Sequence, residues 1–449
     1  MALSAGNRIP VVGVQFLHPP STSILRVLND NGTLIHSVER DGIRATYPVS
    51  LPIGSGRVGQ SYAVSIAGKL FQSPISWYGQ SRTWGISPGF EAERNPDFDR
   101  PMTGSCLSCH SSPSTLGPVA IDCERCHGNG DAHSVSPGRN NIVQPARLSP
   151  SLRDSVCEQC HLQGAARIAR LNKRESDYQP GTALEDVVAI FVLQHQDFRV
   201  VSHAEQLKLS ACARASNDKL WCGSCHDPHP VVTPTRANYN QRCESCHAGI
   251  KARHTTPAED CVSCHMPSRP VSDVAHTAYT DHRISKLPSQ ATTSAPRQLK
   301  PWRSSPDTSR EFALALAATG DLAGADAQFK ILLKPSTRDV ELLVSAGSVA
   351  LGLNRPQDAS RYFEAARKLE PDLAEHYFRK GLANEANQQL SLALDNYKEA
   401  LRRKPQFFDA TARLAALQRK NGNLEAYRKT LTAFLATMPQ NLTIRRLLR

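Results

Sequence analysis

Between Cys106 and His265 the chain repeats one pattern, Cys-x-x-Cys-His, six times. The copies are Cys106/Cys109/His110, Cys123/Cys126/His127, Cys157/Cys160/His161, Cys222/Cys225/His226, Cys243/Cys246/His247 and Cys261/Cys264/His265. Two thiols at this spacing can add across the two vinyl groups of a porphyrin, and the imidazole beside the second thiol then binds the iron from one face. This is the attachment pattern of c-type haem. A zinc ribbon also uses paired Cys-x-x-Cys, but it has no use for a His after the second Cys, and a disulfide framework does not force every pair to one short spacing. With 16 His in 449 residues, a His follows a given Cys by chance roughly once in thirty. Six in six predicts six covalently attached haem c groups, each with its iron.

Each motif supplies one axial ligand, so the proximal set is His110, His127, His161, His226, His247 and His265. A low-spin, electron-carrying haem needs a second ligand, His or Met. Only Met102 and Met266 lie near the motifs, and Met266 follows a proximal His too closely to reach over the same haem. Nine further His precede residue 283, which favours His/His coordination. The distal candidates are His133, His229, His203, His254, His276 and His282. His18, His36 and His195 remain undecided between ligand and structural residue. No catalytic residue is assigned.

Twelve of the 13 Cys belong to the motifs, leaving Cys212, which reads as an inert thiol. Haem attachment takes place outside the cytoplasm, so the protein is expected to be periplasmic or extracellular. Residues 1–20 nevertheless lack a basic start, an apolar core and a cleavage site, and do not read as a signal peptide. The expectation is a sequence that lacks its true start. No stretch has the length of a transmembrane segment. The net charge of +12 is uneven: residues 283–449 hold 27 Lys+Arg against 16 Asp+Glu, and the remainder is nearly neutral. Six haems bring about twelve propionate charges, so the haem-loaded part should be acidic and the C-terminal part basic. No basic patch interleaved with aromatics is found, which argues against nucleic acid as a partner.

The surrounding elements divide the chain into four. Residues 1–100 form a β-rich region, with strands expected at 23–28, 33–39, 43–49 and 60–67. Asn31-Gly32 and Asp41-Gly42 supply tight turns. The Gly-rich run 53–59 lacks the Lys-Ser/Thr of a phosphate loop and reads as a turn. Trp77 and Trp84 are core or haem-wall residues. Residues 101–282 form a hexahaem cytochrome c domain, loop-rich with short helices, of which 184–196 and 203–213 are expected to be helical. Residues 283–306 are a linker. Residues 307–449 form an all-α tetratricopeptide repeat domain: Pro371, Pro405 and Pro439 recur every 34 residues, with Gly347 and Gly381, Ala359 and Ala393, Phe363 and Tyr397, and Ala366 and Ala400 in register. A degenerate unit precedes them at 310–336. The composition break at the linker predicts that this solenoid can be removed without disturbing the rest.

The stretches Asp122 to His133, His203 to His229, the Cys-Val-Ser-Cys-His-Met-Pro run from Cys261, His276 to His282, and Ile53 to Trp84 carry a resemblance. The chain resembles the tetratricopeptide-containing multihaem c-type cytochromes of the cytochrome c-554-type group, which is related to multihaem nitrite reductases and hydroxylamine oxidoreductases. That resemblance implies His133, His229 and the His276/His282 region as distal ligands. Two departures are a missing upstream Cys-x-x-Cys-His and the absence of the Cys-x-x-Cys-Lys found in the nitrite reductases. The expected function is electron conduction through closely packed haems, with the solenoid docking a redox partner or mediating self-assembly. The alternatives are an oxidoreductase acting on a small nitrogen or sulfur species at one open iron, and a scaffold in which the haems act as sensors.

Overall fold

The computed structural model of the chain describes residues 11–54, 56, 58–102, 121–137, 141–193, 198–229, 235–249, 260–272, 274, 278–285, 298–304 and 308–449. The first motif (Cys106, Cys109, His110), His195, His254 and His276 lie outside the described residues.

Alternating apolar residues and two-residue turns build the N-terminal region as an antiparallel sheet. Its strands are β1 (Val14–His18), β2 (Ser23–Asp30), β3 (Thr33–Arg40), β4 (Ile43–Ile53), β5 (Gly59–Ile66), β6 (Lys69–Gln72), β7 (Ile75–Tyr78) and β8 (Thr83–Ile86). The order is β1-β2-β3-β4-β5-β7-β8, with β6 pairing β5. Both residues of Asn31-Gly32 and Asp41-Gly42 take positive φ, as a type I′ hairpin requires, and Ala67-Gly68 makes a third such turn that the sequence reading passes over. Strands β4 and β5 pair antiparallel, and within the Gly-rich run the Gly56 amide donates to the Gly59 carbonyl at 3.3 Å. Leu25, Val27, Val38, Ala45, Tyr62, Val64 and Trp84 share one core, and Trp77 packs against it.

The middle of the chain carries short helices and two small sheets. Strands β9 (Ala166–Ala169), β10 (Val188–Leu193) and β13 (Leu299–Pro301) form one antiparallel sheet in the order β13-β10-β9, and β11 (Ser268–Pro270) pairs β12 (Ala278–Thr280). Two expectations are corrected here. The stretch 184–196, read as helix, is a 3-10 turn followed by β10 over its described part. Val-Ala-Ile-Phe-Val-Leu is a short apolar run buried between two neighbours, and periodicity cannot separate such a strand from a buried helix. Residues 299–301, read as linker, are β13. The stretch 203–213 does become helical, broken at Ser210, which caps the second helix.

The last part is all-helical: α9 (Ser309–Ala318), α10 (Leu322–Leu332), α11 (Val340–Gly352), α12 (Pro356–Leu369), α13 (Ala374–Ala386), α14 (Leu390–Arg403), α15 (Phe408–Lys420), α16 (Leu424–Leu435) and α17 (Leu442–Leu447). The repeat register has a steric cause. A Cβ on Gly347 would lie 2.4 Å from the Phe363 ring, and one on Gly381 2.4 Å from the Tyr397 ring. In the following unit the same positions hold Ala415 and Leu431: a larger helix residue faces a smaller partner.

Both ends of this solenoid are seated on the rest of the chain. Helix α9 packs on the β9–β10–β13 sheet, where Ala313, Leu314 and Phe329 join Ile168, Phe191 and Leu299 in one core, and Arg170 pairs with buried Glu311 at 3.0 Å. At the other end Tyr427, Leu431, Phe434, Leu442 and Ile444 share the core of the N-terminal sheet. Tyr427 and Phe434 occupy the positions that Ala393 and Ala400 hold one repeat earlier. Alanine there admits the next helix, whereas the last unit meets the β-region and fills the wider gap with aromatics. Polar contacts lock the seam: Gln440 exchanges two hydrogen bonds with the Thr46 backbone, the Leu442 amide donates to Asp97 at 2.6 Å, and Arg446 pairs with Asp41 at 3.2 Å. The basic C-terminus therefore folds back on the β-region.

Candidate metal centre

A Cys-x-x-Cys-His segment wound as one helical turn puts both thiols on one face and the imidazole beside them. The five described motifs adopt this turn. They lie on or beside α1 (Glu124–His127), α3 (Pro150–His161), α6 (Cys222–Cys225), α7 (Arg236–Glu244) and α8 (Cys261–His265). Between α1 and α3 lies α2 (Asp131–Val135), and between α3 and α6 lie α4 (His203–Leu209) and α5 (Ala211–Ala215). In three of the motifs the His amide donates to the carbonyl of the first Cys, at 2.8 Å for His127 and 2.9 Å for His226 and His247. Asp260 caps the last turn by accepting from the Val262 and Ser263 amides.

Consecutive motifs are neighbours. The side-chain amide of Gln159, inside the third motif, donates to the Arg125 carbonyl of the second at 2.9 Å. The Cys157 thiol faces Cys222 of the fourth motif, and their interaction raises the Cys157 pKa and lowers that of Cys222. Cys243 of the fifth is pushed up to about 11, first by burial and then by Cys261 of the sixth. Burial also raises the pKa of Cys126 and of Cys225.

The second thiols Cys160, Cys246 and Cys264, attachment points in the sequence reading, are not enclosed by the protein alone. None of the three is buried: Cys160 is half-buried, and Cys246 and Cys264 are exposed, as is Cys123 of the second motif. The cause is the path of the chain. Cys246 stands in the turn beyond the end of α7, and Cys264 lies near the end of the five-residue α8, where its Sγ meets the Ser263 hydroxyl at 3.9 Å. Cys160 lies in the last turn of α3, one turn beyond the buried Val156. The protein alone therefore encloses the first thiols Cys157, Cys222, Cys243 and Cys261 more than it encloses Cys246 and Cys264. None of the eleven described cysteines, Cys212 among them, is joined in a disulfide.

The candidate histidines meet in pairs. His127 stacks on His229 with centroids 5.7 Å apart and 27° between planes. His161 meets His203 edge-on at 5.4 Å and 90°, and His203 also lies 4.8 Å from His282. His226 lies 6.1 Å from His282 at 32°. Three of these contacts join a motif His to a His from elsewhere in the chain. Burial lowers the pKa of His161 to about 4 and of His203 to about 3, and lowers His226 and His282 as well. These rings are therefore neutral at ordinary pH, the form that offers a lone pair to a metal.

Hydrogen bonds fix which nitrogen offers it. A carbonyl can only accept, so His127 Nδ1 donates to Val143 (2.7 Å) and His282 Nδ1 donates to Thr280 (2.9 Å). In both rings Nε2 is left as the lone-pair nitrogen. His265 Nδ1 donates in the same way to the Ser285 carbonyl at 3.0 Å, and His133 Nδ1 faces Asn141 Oδ1 at 3.1 Å. This second contact orients a metal-ligating imidazole and raises its basicity. His203 Nδ1 is buried and has no hydrogen-bond partner among the described residues.

These residues fit haem. Two metal–nitrogen bonds of about 2 Å plus two ring radii separate the centroids of imidazoles sharing one iron by about 6 Å. The observed 5.7, 5.4 and 6.1 Å are close to that. A porphyrin supplies four donors itself, so protein ligands in twos suffice. Among the described residues no group of three or more His, Cys, Asp or Glu is arranged to hold a metal ion.

His18 and His36 stand apart from this centre. His18 bonds Ser21 through one nitrogen and the Glu91 carbonyl through the other. His36 is fully buried in the β-region between Tyr62 and Trp84, bonds Ser73, and has its pKa lowered to about 3 by burial. Both are structural. Residues the sequence reading passes over are Tyr239 beside His226, Gln206, which accepts from the His282 amide, and the Glu158–Trp302–Arg303 cluster described below. Glu158 carried one signal, an acid standing between the two cysteines of a motif.

Among the described residues no helix is long and apolar enough to cross a membrane. No family model matches the chain. The chain is similar to the multihaem cytochrome MtrA of Shewanella baltica (strain OS185), 27% identical over 179 residues, covering 32% of this chain and 52% of that protein. It is also similar to the cellulose synthase 1 operon protein C of Komagataeibacter xylinus, 32% identical over 137 residues, covering 27% of this chain and 10% of that protein. Among solved structures, a crystal structure of MamA matches with 21% identity and a TM-score of 0.28, covering 32% of this chain and 81% of that one. The chain thus spans about half the length of the multihaem cytochrome it matches and a tenth of the operon protein.

Proposed function

We propose that the chain is an exported multihaem c-type cytochrome that conducts electrons through six haems attached at its six motifs. The observation that carries this reading is the pairing of imidazoles, one from a motif and one from outside it, at a spacing that suits a shared iron. His127 with His229, His161 with His203, and His226 with His282 are the proposed axial pairs. His133, His254 and His276 remain as candidates for His110, His247 and His265. Cys160, Cys246 and Cys264 complete the thioether pairs begun by Cys157, Cys243 and Cys261, and the exposed Cys246 and Cys264 are open for attachment. When bound, haem supplies one-electron iron chemistry. The chain's own residues bring the ligand rings together in pairs, fix the tautomers of His282 and His127 through Thr280 and Val143, and keep consecutive motifs adjacent. The solenoid docks a redox partner or a second copy; nucleic acid is not a proposed partner.

The test is the haem and metal content of the purified, exported protein. Pyridine haemochrome absorbance and intact mass should give six covalent haems per chain, with low-spin iron by electron paramagnetic resonance (EPR). A count below five, or stoichiometric zinc in place of iron, refutes the reading. One high-spin iron among the six would instead favour the oxidoreductase with an open site.

A further inference from the structure

The segment leading into the solenoid reaches the third motif directly. Strand β13 pairs with β10, and the Trp302 amide then donates to the Ile190 carbonyl at 2.8 Å. Trp302 Nε1 donates to Glu158 Oε1 at 3.1 Å, and Arg303 pairs with Glu158 Oε2 at 2.8 Å. Glu158 sits between the two cysteines of the motif, and its side chain is only 7% exposed. Arg303 also donates to Ser155 on α3 at 3.1 Å and to Glu185 at 3.2 Å. On its other side the Trp302 ring carries the Lys208 ammonium of α4 at 4.2 Å.

Helix α3 ends in His161, and α4 begins with His203. Trp302 therefore touches both helices whose histidines meet at 90°. It also packs on an apolar cluster that includes Leu162 and Ala204, the residues immediately after those two histidines. A few residues later α9 is embedded on the same sheet. The brace thus has three parts: an indole spanning two helices, a buried ion pair inside the motif, and a solenoid fixed rigidly behind both.

We propose that Trp302 and Arg303 are positioning residues for the third haem site, holding the crossed His161/His203 pair and neutralising Glu158, so that the seat of the solenoid is part of that site. This rests on the haem reading above. Two consequences make it testable. The EPR anisotropy of a bis-imidazole iron grows as the ring planes approach perpendicular, so the third site should give a signal distinct from the 27° and 32° pairs. A buried charge near an iron also acts through a low dielectric, so removing a cation there lowers the reduction potential and removing an anion raises it.

The experiment uses the full-length, haem-loaded protein in a potentiometric titration followed by EPR. A double variant, Cys157→Ala with Cys160→Ala, identifies the third site as the signal that disappears along with one haem. Arg303→Ala should move that signal alone to lower potential, Glu158→Gln should move it upward, and the combination of those two should return close to the parent. Arg303→Lys should rescue the potential, and Trp302→Phe should shift the g-values of the same signal. If Arg303→Ala fails to load haem, Glu158→Gln decides, since it removes the charge at constant volume. Shifts spread evenly over all signals, or none at a third site that is present, overturn the proposal. If the cysteine variant removes neither a haem nor a signal, the haem reading itself fails.

Discussion

Replacing Leu442 by Ala tests whether the two ends of the chain form one cooperative unit. Leu442 is 1% exposed, opens α17, and lies in the core shared with Leu25, Val27 and Val38 of the N-terminal sheet. Removing a buried leucine side chain costs its transfer energy plus a cavity, about 2–5 kcal/mol. Taking about 3 kcal/mol, the population of the opened core rises roughly 150-fold, at one decade per 1.4 kcal/mol. Hydrogen exchange followed by mass spectrometry reads this directly. Amides of β2, β3 and β4 should exchange about two decades faster, although they lie hundreds of residues from the substitution. Amides of α11 and α12 should change little, because solenoid repeats couple mainly to their neighbours. Faster exchange confined to α16 and α17, with β2–β4 unchanged, would refute the shared core and restore the separable solenoid that the composition suggests.

Three further outcomes are expected. Gly381→Ala should lower the melting temperature, because overpacking against Tyr397 costs about 1–3 kcal/mol and the helix-propensity gain of about 1 kcal/mol offsets only part of it. Adding Tyr397→Leu, which copies the Ala415/Leu431 pair of the next unit, should recover most of the loss; no recovery would mean the contact does not set the register. His229→Ala should convert one iron from low-spin to high-spin while leaving the haem count unchanged, seen by EPR; a lost haem or an unchanged spectrum contradicts the His127/His229 pair. Burial first, and then its neighbour Asp99, raise the Asp97 pKa to about 7. The folded state therefore holds that proton more tightly than the unfolded chain. Its stabilising contribution is present below about pH 4 and is lost as pH rises toward 7. The difference in stability between the parent and Asp97→Asn should thus change across that window, measured by denaturant unfolding at several pH values; a constant difference rules the linkage out.

What the sequence discloses is what repeats or alternates. The strands at 23–28, 33–39, 43–49 and 60–67 could be read because inward residues such as Leu25, Val27 and Ala45 fall at period two between Asn-Gly and Asp-Gly turns. The helical units could be read because Pro371, Pro405 and Pro439 recur every 34 residues, with Gly347 and Gly381 each set against an aromatic ring in register. The six motifs carry the proposed chemistry in their spacing alone. Their unequal exposure does not show there: Cys246 and Cys264 look identical in sequence to Cys126, Cys160 and Cys225, and only the ends of α7 and α8 set them apart. The pairing of histidines could not be read either, since His127 meets His229 only through the tertiary path of the chain. Strand β10 was missed because a run buried on both faces carries no periodicity. Tyr427 and Phe434 look like decay of the repeat, and only the packing shows that they mark its junction with the N-terminal sheet. Trp302 and Arg303 sit in a Pro/Ser-rich stretch whose composition suggests a tether, while their partners Glu158 and Lys208 are far away in sequence.

The seam between the first and last elements also sets an order of events. Asp97 and Leu442 are 345 residues apart, and Thr46 and Gln440 are 394 apart, so the N-terminal core is finished only when the C-terminal helix arrives. Closing a loop of that length is slow and is rewarded only at the end. Until then Leu25, Val27 and Val38 lack the Leu442 and Ile444 side chains that complete their core. The last helix acts as a latch on that core, so a chain shortened before Leu442 should keep its helical repeats yet leave the N-terminal sheet open.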